Sequence, residues 1–207
     1  FQPDEEKTQG AQAMIDDGLF EKFSIDEVYA FHNLPGMEVG SFATRSGTIT
    51  ASESLFNIKL WGQGGHSALP HMGVDTITVG TQIITSLQSI VSRKLNPAMN
   101  GVVSVTKFES DGNENILPGH SIISGDARAL SPEANKIIED SMQNIVAGIA
   151  NAHGIKYEFT YDTRTNMTIN TTEQAAFASK VAEDLVGTDN VDGNCDPKLF
   201  SEDFAQM

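Results

Sequence analysis

The feature that most constrains the fold is an alternation of strand-like and helix-like segments through the middle of the chain. The strand-like segments alternate apolar and polar side chains or are rich in β-branched residues, and the helix-like segments carry apolar residues at helical spacing. In chain order the segments are 54–61 (strand), 74–95 (helix), 101–108 and 120–130 (strands), 131–153 (helix) and 155–162 (strand). The predicted buried stripe of the first helix is Ile77, Ile84, Leu87 and Val91. This order predicts an α+β ferredoxin-like fold, in which two helices pack on one face of a four-stranded antiparallel sheet.

The segments that flank this unit have a different character. Before it, the pattern predicts a short helix that ends near Gly18, a buried strand at residues 28–33 and a second strand near residues 41–45. After it, residues 171–187 form a predicted helix with an apolar line along one side. That line is Phe177, Val181 and Leu185.

These patterns predict a domain inserted into another domain. The ferredoxin-like domain covers residues 52–163, and the second domain is built from residues 1–51 and 164–207. A ferredoxin-like domain of this length is within the normal range for a domain.

The net charge and the cysteine content indicate which binding partners and which cellular compartment suit this protein. The chain has 207 residues, with 13 Lys and Arg against 28 Asp and Glu, and a formal net charge of −15. This acidity argues against nucleic acid and against an anionic membrane surface as partners. No apolar run approaches the roughly 18 to 20 residues needed to span a bilayer. The single cysteine, Cys195, excludes an internal disulfide and favours a reducing compartment, so we predict a cytoplasmic location.

Candidate metal-binding and acid–base residues lie in the first 32 residues. Glu5 and Glu6 are adjacent in the sequence. Of two adjacent carboxylates at a strand end, one can bind a metal while the other takes a proton from water. The alternative is a solvated acidic turn. His32 lies near the end of the predicted strand at residues 28–33, where an imidazole is well placed to bind a metal. Its alternative is a histidine that caps a turn.

Three further candidates lie in the predicted inserted domain. His66 follows Gly64 and Gly65, which allow it to project into a cleft as a hydrogen-bond donor to a developing oxyanion. Arg128, at a strand end, offers the planar fork that binds a carboxylate, and Asn115 could donate to the same group. The alternatives are a glycine-rich connector for His66, a surface salt bridge for Arg128 and turn formation for Asn115.

As a set, six segments resemble the M20 metallopeptidase family in order and spacing. The most similar branch is that of the amidohydrolases, which includes hippurate hydrolases, N-acyl-amino-acid amidohydrolases and auxin-conjugate hydrolases. The resemblance covers essentially the whole chain. The segments are FQPDEE, AFHNLPG, GQGGHSALPH, GNENILPG, GDARAL and SEDFA.

The resemblance implies a catalytic domain with two divalent metal ions, Zn²⁺ or Mn²⁺, and a ferredoxin-like lid through which the protein forms a homodimer. The implied reaction is hydrolysis of a small N-acyl amino acid by a metal-activated water. The lid histidine often reaches the active site of the partner subunit. By motif position, the resemblance implies that Glu5 is the general base and that Glu6 and His32 are metal ligands. It implies that His66 polarises the scissile carbonyl, and that Asn115 and Arg128 bind the substrate carboxylate.

The chain also departs from the family pattern. The family's other metal ligands lie in a CGHDxH type of segment before residue 1 and at a histidine after residue 207, so the resemblance implies truncation at both ends. Glu6 and His32 alone cannot hold two metal ions in the usual way. We therefore expect a metal site that is incomplete or absent in this chain, and a 207-residue piece that is inactive although its parent is a hydrolase.

Two other functions stay open from the sequence. One is a carboxypeptidase or dipeptidase of the same superfamily, which would use the same water and the same Arg128 on a peptide. The AFHNLPG segment favours the amidohydrolase branch, because dipeptidase-like members tend to have a carboxylate where His32 stands. The other is a non-catalytic module for dimerisation and ligand binding.

Overall fold

The computed structural model describes residues 3–207, which divide into two compact units. Unit 1 combines the residues up to Ser52 with Thr165–Met207, and unit 2 is Glu53–Arg164. The helices are α1 (Gly10–Asp16), α2 (Leu19–Lys22), α3 (Thr76–Arg93), α4 (Pro132–His153) and α5 (Thr172–Val186). The strands are β1 (Phe42–Ala43), β2 (Gly47–Thr50), β3 (Ser52–Trp61), β4 (Gly65–His66), β5 (Gly101–Ser110), β6 (Ile116–Leu117), β7 (His120–Ala129), β8 (Lys156–Thr165), β9 (Thr168–Asn170) and β10 (Val191–Asp192). Short 3₁₀ helices cover Glu5–Lys7, Pro70–Met72, Thr188–Asn190 and Asp203–Gln206.

Unit 2 is built on a four-stranded sheet in the order β5-β7-β3-β8. Strands β5 and β7 pair antiparallel. Strand β3 also runs against β7, because Glu53 near the start of β3 meets Arg128 near the end of β7, whereas Trp61 at the end of β3 meets His120 at the start of β7. The two long helices, α3 and α4, lie on one face of this sheet and pack against each other.

The core of unit 2 lies between this sheet and its two helices. Alternate side chains of β3 point into it, and each helix contributes one buried face. The largest buried apolar side chains are Phe56, Ile58 and Leu60 from β3, Val79, Ile83, Leu87 and Ile90 from α3, Ile123 from β7, and Ile138, Met142 and Val146 from α4. The predicted stripe of α3 is therefore wrong in part, because Ile77 and Val91 are each 40% exposed. The buried face is rotated around the helix axis from the predicted one.

Local capping fixes the ends of the helices in unit 2. Ser131 accepts a hydrogen bond from the Ala134 amide at the start of α4, Pro132 occupies the first helical position, and Gly154 ends the helix with a φ of 66°. The Asp75 side chain accepts from two amides at the start of α3. These ends confirm the sequence prediction for α4 to within a residue.

Two leucines on β3 allow a direct test of which face is buried. Leu60 is fully buried and Leu55, on the opposite face, is 41% exposed. We expect Leu60→Ala to lower the free energy of unfolding by about 2–5 kcal/mol, because it leaves a cavity in a closed core. Leu55→Ala serves as the matched control and should cost less than about 1 kcal/mol. Urea unfolding of the two variants measures both values, and equal losses would contradict the assigned core.

Unit 1 contains short strands and loops. Strand β1 pairs parallel with β10, and β2 pairs antiparallel with β9. In α5 only Ala175 is buried, and the predicted apolar line of that helix is exposed in this structure. The exposed fractions are 60% for Phe177, 51% for Val181 and 75% for Leu185. The periodicity therefore predicted the helix correctly. The apolar face that it indicated is not buried in this structure.

The predicted buried strand at residues 28–33 is wrong. These residues form neither strand nor helix, and their side chains are exposed, with Phe31 at 93%. A strand needs a neighbour for its backbone groups, and among residues 3–207 no strand pairs with this segment. Within the same residues, no helix is both long and apolar enough to cross a membrane.

Candidate functional site

The two candidate glutamates lie in a tight turn rather than at the end of a strand. Glu5 and Glu6 begin the 3₁₀ helix Glu5–Lys7, and the residue before it, Asp4, has a left-handed φ of 50°. Glu5 is half-buried and Glu6 is exposed. The predicted strand-end setting is therefore wrong, and a compact turn presents both carboxylates instead.

The electrostatic surroundings of Glu5 identify its neighbours. Burial raises the pKa of the Glu5 carboxyl, and the negative charges of Glu202, Glu6 and Asp203 raise it further, whereas the charge of His32 lowers it. Residues distant in sequence therefore share one electrostatic environment in unit 1. A carboxylate whose pKa is shifted towards neutrality is a better proton acceptor at physiological pH than an ordinary one.

His32 has one ring nitrogen fixed by the backbone. Nδ1 lies 2.6 Å from the carbonyl oxygen of Asn33, and a carbonyl only accepts, so Nδ1 carries the proton. In the neutral ring, Nε2 then has a lone pair, and it lies 3.8 Å from a carboxylate oxygen of Glu202. The ring also packs against Phe200, with 5.1 Å between ring centroids. A backbone acceptor on Nδ1 is the usual arrangement of a histidine that binds a metal through Nε2.

The donor atoms of Glu6 and His32 are of the types that bind Zn²⁺ or Mn²⁺, but two donors are fewer than a metal site needs. Within residues 3–207, no group of three or more His, Cys, Asp or Glu side chains is arranged to hold a metal ion. A complete site would therefore need ligands beyond those that these residues bring together.

His66 and Asn115 lie side by side in unit 2. The short strand that contains His66 pairs with β6, and the amide of Ser67 donates to the carbonyl oxygen of Asn115 at 3.0 Å. The amide of Ala68 donates to Nδ1 of His66 at 3.1 Å, so Nδ1 is the unprotonated nitrogen. The proton of the neutral ring is then on Nε2, which can donate to an oxygen atom of a ligand. This is the tautomer that an oxyanion donor requires.

Arg128 lies in the four-stranded sheet of unit 2, near the end of β7. Its Nε donates to Asp126 at 2.9 Å and its Nη2 donates to Glu53 at 2.6 Å, and the side chain is 19% exposed. Eight residues of β7 separate Arg128 from His120, which corresponds to about 26 Å at roughly 3.3 Å per residue. Asn115 lies beyond the His120 end. Arg128 and Asn115 of one chain are therefore separated by an extended strand, and their joint binding of the substrate carboxylate stays a prediction.

Sequence reasoning missed two acidic residues near Glu5 and His32. Glu202 and Asp203 belong to the SEDFA segment, which is part of the family resemblance but supplied no predicted site residue. Asp203 is completely buried and accepts a hydrogen bond from the Ala11 amide at 2.8 Å. The available signal was an acidic pair between Phe200 and Phe204, because carboxylates among apolar residues are seldom buried without a partner.

Comparisons with known proteins give consistent results. The family model described as peptidase family M20/M25/M40 matches residues 1–207. The hippurate hydrolase of Campylobacter jejuni is 39% identical over 204 residues, which are 99% of this chain and 53% of that protein. The crystal structure of a candidate aminohydrolase from methicillin-resistant Staphylococcus aureus has a TM-score of 0.89 at 30% identity, covering 99% of this chain and 52% of that one. A dinuclear metal-binding peptidase of the M20 family from Bacillus subtilis has a TM-score of 0.79 at 25% identity, covering 100% and 51%. The chain thus spans about half the length of the relatives that it matches.

Proposed function

The chain belongs to peptidase family M20/M25/M40, and on this premise we propose that the whole protein is a metal-dependent amidohydrolase of N-acyl amino acids. The observation that supports this most directly is the geometry of His32, whose Nδ1 is bound to the carbonyl oxygen of Asn33 so that Nε2 is left for a metal, with the Glu5 carboxyl in the same electrostatic environment. The hippurate hydrolase activity named for the C. jejuni relative supports the choice of substrate class.

Glu5 is the proposed general base. It takes a proton from the attacking water and later delivers it to the departing amine. Glu6 and His32 are proposed ligands of a site for two divalent ions, Zn²⁺ or Mn²⁺. A bound divalent ion supplies positive charge that lowers the pKa of the attacking water. Nε2 of His32 would bind the ion, because Nδ1 is committed to the carbonyl of Asn33.

His66 is the proposed donor to the oxygen of the scissile amide as that oxygen gains negative charge. We assign unit 2, Glu53–Arg164, to the ferredoxin-like lid through which the protein forms a homodimer. Asn115 and Arg128 are proposed to bind the substrate carboxylate. Because about 26 Å of strand separates the two ends of β7, a site that uses both residues would draw them from different subunits of the homodimer.

A second candidate applies to the 207-residue chain on its own. The absence, among residues 3–207, of a three-ligand group for a metal favours a chain that dimerises and binds ligand without catalysis. We therefore expect the isolated chain to hydrolyse N-acyl amino acids no faster than a buffer control. Its cytoplasmic location stays a prediction from the single cysteine.

Substrate hydrolysis by the whole protein tests the proposed function. After loading with Zn²⁺ or Mn²⁺, the protein should release glycine from hippurate, and removal of the metal with a chelator should abolish the reaction. The methyl ester of hippurate is the matched control, and we expect kcat/KM for it to be at least about tenfold lower, because it lacks the carboxylate that Arg128 would bind. Faster cleavage of dipeptides than of any N-acyl amino acid would favour the peptidase alternative. A metal-loaded protein that cleaves neither would contradict the proposal.

A further inference from the structure

We propose that residues 198–203, here called the positioning segment, hold the Glu5–Glu6 turn and His32 in place for metal binding. This inference rests on the proposed function, and it assigns a role to the SEDFA residues that the proposed mechanism leaves unused. Glu202 and Asp203 are positioning residues in this proposal. They act through His32 and through the acidic turn.

The backbone of the positioning segment is fixed to β2. The amide of Lys198 donates to the carbonyl oxygen of Ile49 at 2.8 Å, and the amide of Ala51 donates to the carbonyl oxygens of Lys198 and Phe200, each at 3.0 Å. Strand β2 is itself paired with β9. Side chains that follow residue 200 therefore extend from a backbone with defined partners on a paired strand.

Two side chains of the positioning segment contact His32. The ring of Phe200 packs against the imidazole, and a carboxylate oxygen of Glu202 lies 3.8 Å from Nε2. The other oxygen of Glu202 accepts from the amide of Phe204 at 3.3 Å, which limits the rotation of the carboxylate. Because the chain around His32 has neither helix nor strand, the Phe200 ring and the Asn33 carbonyl orient its ring, and the Glu202 carboxylate lies on the Nε2 side of that ring.

The next residue contacts the start of α1, beside the acidic turn. Asp203 is fully buried and accepts the Ala11 amide at the start of α1. A Cβ atom on Gly10 would overlap the carbonyl oxygen of Pro3, so the chain that leads into Glu5 crosses directly over the first residue of α1. Fixing the start of α1 therefore fixes the turn. Two consecutive residues, Glu202 and Asp203, thus contact His32 and Ala11, which are 21 residues apart in sequence.

Hydrogen–deuterium exchange of the 207-residue chain tests the structural part of this proposal. Asp203→Ala should speed exchange about tenfold in residues 3–17, because the Ala11 amide loses its acceptor, and Asp203→Asn should restore slow exchange by keeping an oxygen there. Glu202→Ala should speed exchange in residues 29–35 instead. The control, Asp189→Asn, removes the same charge from the exposed 3₁₀ helix Thr188–Asn190. Unchanged exchange in unit 2 reports that each variant has folded.

Zinc affinity of the whole protein, measured by competition with a chelator, tests the positioning role itself. Groups that orient metal ligands typically change affinity 10- to 100-fold when they are removed. We expect a loss of about that size in Asp203→Ala and Glu202→Ala, partial recovery in Asp203→Asn, and no change in Asp189→Asn. Unchanged exchange or unchanged zinc affinity would overturn the proposal. Neither readout needs turnover, so a whole protein that shows both losses but cleaves no N-acyl amino acid would refute the proposed function and leave the positioning segment supported.

Discussion

Replacing Glu5 with glutamine should lower kcat for hippurate about 10²- to 10⁴-fold in the whole protein, the range that general acid–base catalysis contributes. Glutamine keeps the shape of the side chain but cannot accept the proton of the attacking water. Burial and the neighbouring charges of Glu202, Glu6 and Asp203 raise the pKa of the native carboxyl, which favours a base that works near neutral pH. Steady-state kinetics on protein of verified metal content would measure the loss.

Glu21→Gln is the matched control for that substitution. It makes the same chemical change at an exposed position of α2 in the same unit. We expect its kcat to equal that of the unaltered protein. If Glu5→Gln kept kcat within about threefold while retaining its metal, the assignment of Glu5 as general base would be wrong, because the loss expected for a base is at least about 10²-fold.

His66→Ala should lower kcat about 10²- to 10³-fold, the cost of removing one oxyanion donor. The physical basis is the Ala68 amide, which donates to Nδ1 and so places the proton of the neutral ring on Nε2. Because the donor acts mainly on charge that develops during the reaction, KM should change much less than kcat. His71→Ala is the control, since His71 is an exposed histidine five residues away in the 3₁₀ helix Pro70–Met72.

A mixing experiment tests whether His66 acts in the active site of the partner subunit. Subunits with Glu5→Gln and subunits with His66→Ala should each be nearly inactive alone. If His66 acts across a homodimer, random mixing in equal amounts should restore about one quarter of full activity, because half of the dimers are mixed and each mixed dimer has one intact site. If His66 serves its own subunit, mixing should restore none, and this result would contradict the action of His66 in the partner's active site.

Much of unit 2 could be predicted from local patterns. The alternation along β3, the Ser131–Pro132 start of α4 and the Gly154 end each depend on neighbours within a few residues, and each agrees with the structure. The buried face of α3 was harder to predict from the sequence, because Ile77 and Val91 fit the helical period and yet are partly exposed. Periodicity identifies an apolar face, but the position of the sheet and of α4 decides which side chains that face buries.

The candidate site, too, was predictable from the sequence only in part. Residue type and local sequence marked Glu5, Glu6, His32 and His66 as candidates, because donor chemistry belongs to the side chain itself, and the resemblance to the M20 family gave them their expected roles. Only the tertiary structure placed Glu202 beside His32 and Asp203 beneath α1, since these contacts join segments about 170 to 190 residues apart, a separation over which sequence periodicity carries no information. The tertiary structure also shows that the length of a strand lies between Asn115 and Arg128. The sequence alone therefore determines which chemical groups the chain offers. Which of these groups lie close together depends on the packing between helices, strands and loops, and local sequence patterns do not describe that packing.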